Sequence, residues 1–174
     1  MNLAKIPQNE TKVKKSKKPK VVALNQLRIE VSTSIEADPA DIYAILADYR
    51  TSRPAILPRQ YFSKLVLASG GQGAGTYLEV HMDVYGMKRV LRPRVSEPEP
   101  GRLLVESDEK TSWRTTYKVV PINGSNQSLV TITTDSPTVP GLQGFLERMI
   151  LGFFLRRAHR KTLELLAEYS GRGL

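Results

Sequence analysis

GGQGAGTYLEVHMDV, residues 70 to 84, packs four glycines into its first six positions and then passes directly into a strictly alternating run. A glycine loop that cradles phosphate is followed by a helix, whose first N–H groups and dipole point at the anion. Here the loop leads instead into Thr76, Leu78, Val80, Met82 and Val84 alternating with Tyr77, Glu79, His81 and Asp83, the period of a half-buried strand. The run also lacks a Gly-Lys-Ser/Thr ending and a G-x-G-x-x-G pattern. The loop therefore reads as a connection between two strands, in which glycine supplies positive φ angles.

On either side of this stretch the chain continues as strands. Candidates lie at about 62 to 68, 75 to 84, 87 to 97, 102 to 107, 113 to 121 and 128 to 135, with LRIEVSTSI, residues 27 to 35, as an earlier one. Between the first two, Asp38 is a good N-cap and Pro39 suits the first helical position. Ile42, Ile45, Leu46 and Tyr49 then recur at helical spacing. Pro54 and Pro58 leave room for only a short second helix, between Pro54 and Leu57. Residues 140 to 169 read as one long helix, about 45 Å at 1.5 Å per residue. The order predicts an α+β fold, a curved seven-stranded antiparallel sheet wrapped on a long C-terminal helix, with two short helices after strand 1.

Hairpin registers can be tested against one another. A tip at Tyr85-Gly86 sets Val80 opposite Leu91 and Met82 opposite Arg89, while Asp83 meets Lys88 and Glu79 meets Arg92 on the outer face. The EPEPG turn then sets Val95 opposite Leu103 and, outside, Arg92 opposite Glu106. The next pairing sets Leu103 opposite Tyr117 inside and Glu106 opposite Arg114 outside. Around Asn123-Gly124, Val119 meets Val130, Tyr117 meets Ile132 and Arg114 meets Asp135. One inner face results, carrying Leu78, Val80, Met82, Leu91, Trp113, Tyr117 and Ile132. Arg89 falls on it too, either at the open rim, where its long stem can reach water, or as a polar anchor for a ligand.

The long helix carries two apolar stripes. Leu142, Phe145, Leu146, Met149 and Phe153 form one; Leu155, His159, Leu163 and Leu166 form another, displaced across Gly152, where a bend would reconcile them. The first stripe is expected to face the sheet. In a straight helix Arg156 and Arg160 would join it as anion-binding candidates; in a bent one they are exposed. The surplus of apolar beside basic side chains would suit a homodimer contact through this helix or a membrane-touching surface.

Composition narrows the chemistry. There are no cysteines and only two histidines, so no metal site is expected. His81 and His159 read as surface histidines, and no G-x-S-x-G elbow occurs. Neither a metal nor another cofactor is expected. Of the net charge of +9, residues 1 to 26 hold +6 through seven lysines against Glu10. That segment reads as a disordered tail. Lys12 to Lys20 would serve either as an arm for nucleic acid or anionic membrane or as a solvated end. The single domain spans 27 to 170, with a short end at 171 to 174. The longest apolar run, Met149 to Leu155, is much shorter than the roughly 20 residues a membrane span needs. No secretory signal pattern opens the chain, and a cytoplasmic location is expected.

The element order, with ADPADIYAILADYRTSRPAILP (37 to 58), GGQGAGTYLEVHM (70 to 82) and VSEPEPGRLLVES (95 to 107), resembles the SRPBCC superfamily, in its polyketide cyclase/dehydrase and START-related lipid-transfer branch. The resemblance covers about residues 27 to 170. It implies a helix-grip fold with an apolar cavity between sheet and helix, in which members bind lipids, sterols, polyketides or hormones and some catalyse cyclisation or dehydration. It carries no universal catalytic motif, so no catalytic residue transfers. The expected cavity residues are Tyr49, Arg53, Leu57, Leu78, Val80, Met82, Arg89, Leu91, Trp113, Tyr117, Ile132, Phe145, Met149 and Phe153. Tyr117, Trp113 and Arg53 or Arg89 would orient polar atoms of a small apolar or amphipathic ligand in a carrier or sensor. In a cyclase or dehydratase, Tyr117 or Tyr49 would donate a proton.

Overall fold

A computed structural model describes residues 25–122 and 126–171. The expected lysine arm, the Asn123-Gly124 turn and the last three residues lie outside them. Eleven elements follow in order: β1 (Asn25–Ile35), α1 (Pro39–Ala47), α2 (Ser52–Ala55), β2 (Phe62–Ser69), β3 (Tyr77–Val84), β4 (Met87–Leu91), β5 (Arg94–Glu99), β6 (Leu103–Asp108), β7 (Trp113–Pro121), β8 (Ser128–Thr138) and α3 (Gly141–Ser170). Seven strands form one curved antiparallel sheet in the order β1-β8-β7-β6-β5-β3-β2, and β4 pairs with β3. The α3 helix packs on β1, β8, β3 and α1, giving the helix-grip α+β fold.

The strand expected at 87 to 97 is two strands. Pro93 has no N–H to donate to a ladder, so β4 stays with β3 while β5 pairs mainly with β6. The β3–β4 and β7–β8 registers match the expected pairs, among them Val80 with Leu91, Asp83 with Lys88 and Arg114 with Asp135.

Two registers differ, and they decide the site. Val95 pairs with Glu106 rather than Leu103: the turn lies further along, with Glu99 opposite Leu103, and the chain bulges by one residue between Ser96 and Glu99, beside Pro98 and Pro100, which is the step that changes the face. Leu104, not Leu103, then pairs with Tyr117. A slip of one residue turns every side chain of a strand to the other face. Glu106, expected outside opposite Arg114, is thereby brought inside.

The glycine loop has the expected positive φ, from 52° at Gly73 to 124° at Gly71. It is also docked. The Tyr49 N–H donates to the Gly71 carbonyl at 3.0 Å, and the Gly73 N–H to that of Ala47 at 2.9 Å. Glu97 takes the Tyr43 hydroxyl at 2.6 Å and the Ala74 N–H at 2.7 Å. A Cβ on Gly73 would lie 2.3 Å from that carboxylate, so the loop seals the end of α1 against β5.

The α3 helix turns its other face inward. Gly144, Leu151, Phe154, Leu155, Ala158, Thr162 and Leu166 are buried, while Leu142, Phe145, Leu146, Met149 and Phe153 are exposed, Leu142 at 76 %. Gly144 sits tight under the link that enters the helix, where a Cβ would lie 1.6 Å from the Val139 carbonyl oxygen, and a Cβ on Gly152 would meet Ile29 and Leu27 of β1 at 3.5 and 3.7 Å. The richest apolar stripe is therefore the outer one.

Candidate functional site

Between the sheet and the second half of α3 lies a cavity of about 50 Å³. Its apolar wall includes Leu57, Phe62, Leu65, Val80, Met82, Leu91, Ile132 and Leu155, and its polar groups gather into two clusters.

The first cluster is charged and begins with local backbone chemistry. After α1, Asp48 Oδ1 accepts the N–H groups of Arg50 and Thr51 at 3.0 and 3.2 Å, and Oδ2 accepts the Ser52 N–H and hydroxyl, both at 3.0 Å. Burial would raise the Asp48 pKa, but these donors outweigh it and bring it down to about 2. The turn they hold starts α2 and aims Arg53 inward, its N–H on the Asp48 carbonyl at 2.8 Å.

Arg53 is 3 % exposed. Its Nη2 donates to Glu106 Oε1 at 3.3 Å and to the Tyr117 hydroxyl, and its guanidinium carbon sits 4.4 Å from the centre of the Tyr117 ring. Its Nε and Nη1 are buried without a hydrogen-bond partner among the described residues. Glu106 also accepts the Tyr49 hydroxyl at 2.8 Å and, weakly, that of Tyr117 at 3.4 Å. Burial works against the arginine charge, yet the Tyr117 and Glu106 oxygens outweigh it and raise its pKa. Burial pushes the Tyr49 and Tyr117 hydroxyls well above the ordinary tyrosine value, and Glu106 adds to this. Both tyrosines stay protonated.

The second cluster is neutral and runs Trp113, Thr115, Thr134, His159. Trp113 Nε1 is 3.3 Å from Thr115 Oγ1, which is 3.0 Å from Thr134 Oγ1, itself 2.9 Å from His159 Nε2. An indole N–H only donates, so the direction that leaves no hydroxyl hydrogen unused runs from Trp113 to an unprotonated Nε2. Burial, reinforced by the Arg53 charge, lowers the His159 pKa to about 4, in keeping with a neutral ring.

Of the expected cavity residues, Arg53, Leu57, Val80, Met82, Leu91, Trp113, Tyr117 and Ile132 line it. Tyr49 is buried and reaches the site through its bond to Glu106, and Leu78 lies in the core. Arg89 sits at the rim, paired with Glu147 and about one-third exposed. Phe145, Met149 and Phe153 are on the outside of α3, because the opposite side, held at Gly144 against the Val139 carbonyl and carrying Leu151, Leu155 and Ala158, is the one packed inward. His159 is a correction of the opposite kind, being buried where a surface histidine was expected. His81 lies on the outer face, 2.7 Å from Glu79. Glu106, Thr115, Thr134, His159 and Thr162 also line the cavity, beyond the expected set. Within LLVESD, residues 103 to 108, an inward set of Leu104, Glu106 and Asp108 is the less apolar choice, so hydrophobic pattern pointed the other way. Among the described residues no cluster of three or more His, Asp or Glu is placed to hold a metal.

The chain matches, over residues 26–171, the family described as polyketide cyclase / dehydrase and lipid transport. The solution structure of KanY protein superposes with a TM-score of 0.74 at 28 % identity, covering 84 % of this chain and 98 % of that one. The Zhui aromatase/cyclase from Streptomyces sp. R1128 gives a TM-score of 0.66 at 16 % identity, covering 85 % and 95 %. A START superfamily protein from Mycobacterium smegmatis gives 0.63 at 13 %, covering 83 % and 97 %. At those identities the last two share a fold with this chain and nothing finer. No curated protein matches it.

Proposed function

Since the chain belongs to the polyketide cyclase/dehydrase and lipid transport family, we propose that it is a carrier or sensor that binds a small amphipathic molecule between sheet and α3. That molecule is apolar over most of its length and presents an anionic or strongly accepting oxygen to Arg53. The observation behind this reading is the pair of Arg53 nitrogens without a partner among the described residues, at the wall of a cavity whose other polar side chains are already hydrogen-bonded. Each buried donor left without an acceptor costs about 1–3 kcal/mol, a cost that a ligand oxygen relieves on binding. Pockets that hold drug-sized ligands measure about 300–1,000 Å³. A cavity of about 50 Å³ therefore widens on loading, through Leu57 and Phe62 on one side and Leu155 of α3 on the other.

The enzyme reading, a cyclase or dehydratase with Tyr117 or Tyr49 as proton donor, has less behind it. A catalytic hydroxyl is free to reach the substrate, whereas Tyr49 is committed to Glu106 at 2.8 Å and Tyr117 is engaged by Arg53.

Native mass spectrometry of the purified chain, followed by solvent extraction, tests the carrier reading. The expected result is a co-purified acidic amphiphile, or uptake of an added medium-chain fatty acid or aromatic acid, lost in the double variant Arg53→Met, Glu106→Leu. That variant removes both charges together and leaves neither alone. A wild-type chain that carries nothing and takes up neither probe would sink the reading.

A further inference from the structure

Outside the cavity, an apolar band runs along the outward side of α3. Leu142, Phe145, Leu146, Met149, Ile150 and Phe153 are all exposed and follow one another at helical spacing. Arg156, Arg157 and Arg160 continue the same band for the next turn and a half, the Arg157 guanidinium lying 4.3 Å from the centre of the Phe153 ring. The outward face is thus divided along its length, apolar first and basic next, with Arg148 at the flank of the apolar part. From 142 to 160 its one carboxylate is Glu147, which pairs with Arg89 on the inner side. Beside the apolar part stands the β3–β4 tip, with Tyr85 and Met87 exposed. Arg89 ties it to Glu147, and the Tyr85 ring packs edge-on 6.1 Å from that of Phe154.

We propose that this face, the outer side of α3 from Leu142 to Arg160, docks on an anionic lipid membrane. The order of the side chains suits an interface: large apolar groups from Leu142 to Phe153 enter the acyl boundary, and three arginines meet phosphates about 5–10 Å beyond Phe153. The helix start adds to the attraction. Pro140 provides no side-chain cap, and no acidic residue lies in the first turn, so the positive end of the dipole is uncompensated. No described helix is long and apolar enough to cross a membrane, so the contact is with the surface.

A second copy fits less well. Antiparallel pairing of the apolar bands would set Arg156, Arg157 and Arg160 of one copy beside the helix start of the other, positive against positive with no carboxylate between them.

Flotation of the full chain with vesicles tests the proposal. Binding is expected to phosphatidylcholine vesicles holding about 30 mol % phosphatidylglycerol and not to pure phosphatidylcholine, weakening at about 0.5 M salt. The variant Phe145→Gln, Met149→Gln, Phe153→Gln keeps good helix formers at exposed positions. It should bind about tenfold less at unchanged thermal stability. Arg156→Gln with Arg160→Gln should remove much of the preference for the anionic lipid. Since every variant keeps the amino-terminal lysines, undiminished binding by the triple variant would assign the contact to charge elsewhere and overturn the proposal. So would failure of the wild type to float, or a solution dimer that the triple variant splits into monomers.

Discussion

The two polar clusters of the cavity sit in one pocket and differ in what they still need. The Trp113–Thr115–Thr134–His159 chain uses each hydrogen once and holds no charge. The Arg53–Glu106–Tyr117–Tyr49 cluster holds two opposite charges, one of them on a guanidinium with two nitrogens unpaired. A satisfied buried network fixes a structure, and an unsatisfied one costs stability that only a further partner recovers. The difference separates the part of the pocket that keeps it in shape from the part left for a ligand.

The sharpest way to break this comparison is to strip the charged cluster of one partner. Glu106→Leu leaves Arg53 buried without its countercharge and is expected to cost about 3–5 kcal/mol in urea unfolding. Adding Arg53→Met should recover most of that loss, because no lone charge then remains buried. A single-variant cost below about 1 kcal/mol would mean that water reaches the guanidinium, and the contrast between the clusters would fail.

The neutral cluster answers to pH instead. His159 has a folded pKa of about 4 against an ordinary 6.5. Between those values the unfolded chain takes up a proton that the folded one refuses. Stability is therefore unaffected above about pH 6.5, falls as the pH drops towards 4 and is flat with respect to this group below that. The total is roughly 3 kcal/mol at about 1.4 kcal/mol per unit. His159→Gln, which can still accept from Thr134, should flatten that slope in denaturation curves taken from pH 7 to 4. A slope unchanged in the variant would assign it to other groups.

The same contrast separates what was legible in the sequence from what was not. Strand alternation, the Asp38 cap and the fixed tip at Tyr85-Gly86 are local signals, and the element order and two registers could be read from them correctly. The β5–β6 register depends on how a turn holding Pro98 and Pro100 bulges, which alternation does not encode. That bulge brought Glu106 inside, where apolar patterning would not place a carboxylate. The α3 helix misleads for a related reason. Its large apolar residues point to one inner face, whereas the face that is buried includes Gly144, Gly152 and Ala158, and small residues weigh little in a hydrophobicity pattern. Gly144→Ala tests this: with the Val139 carbonyl 1.6 Å from the new Cβ, either the helix start or that strand end must shift. A cost of about 1–3 kcal/mol is expected, against a small gain at an ordinary exposed helix position.

The smallest expected effect on stability is the one that best separates binding from folding. Asp48 touches neither cavity nor ligand, yet it holds the turn from which Arg53 enters. Asp48→Ala removes the acceptor of three backbone N–H groups that water can partly replace, so it should cost about 1 kcal/mol, in the range of a lost helix cap. The wild-type contribution is present above the ordinary carboxylate value near 4 and disappears as the pH falls through about 2. Binding should suffer more than folding does, since a guanidinium displaced by even about 1 Å loses a directional contact to a ligand oxygen. The expected result is an affinity for an acidic probe lowered about tenfold in calorimetry, at nearly constant melting temperature. The His159 pH slope, carried by the other cluster, should stay as it is. If affinity and stability fell in proportion, or if the His159 slope changed with them, the two clusters would be one cooperative unit and Asp48 a general support for both.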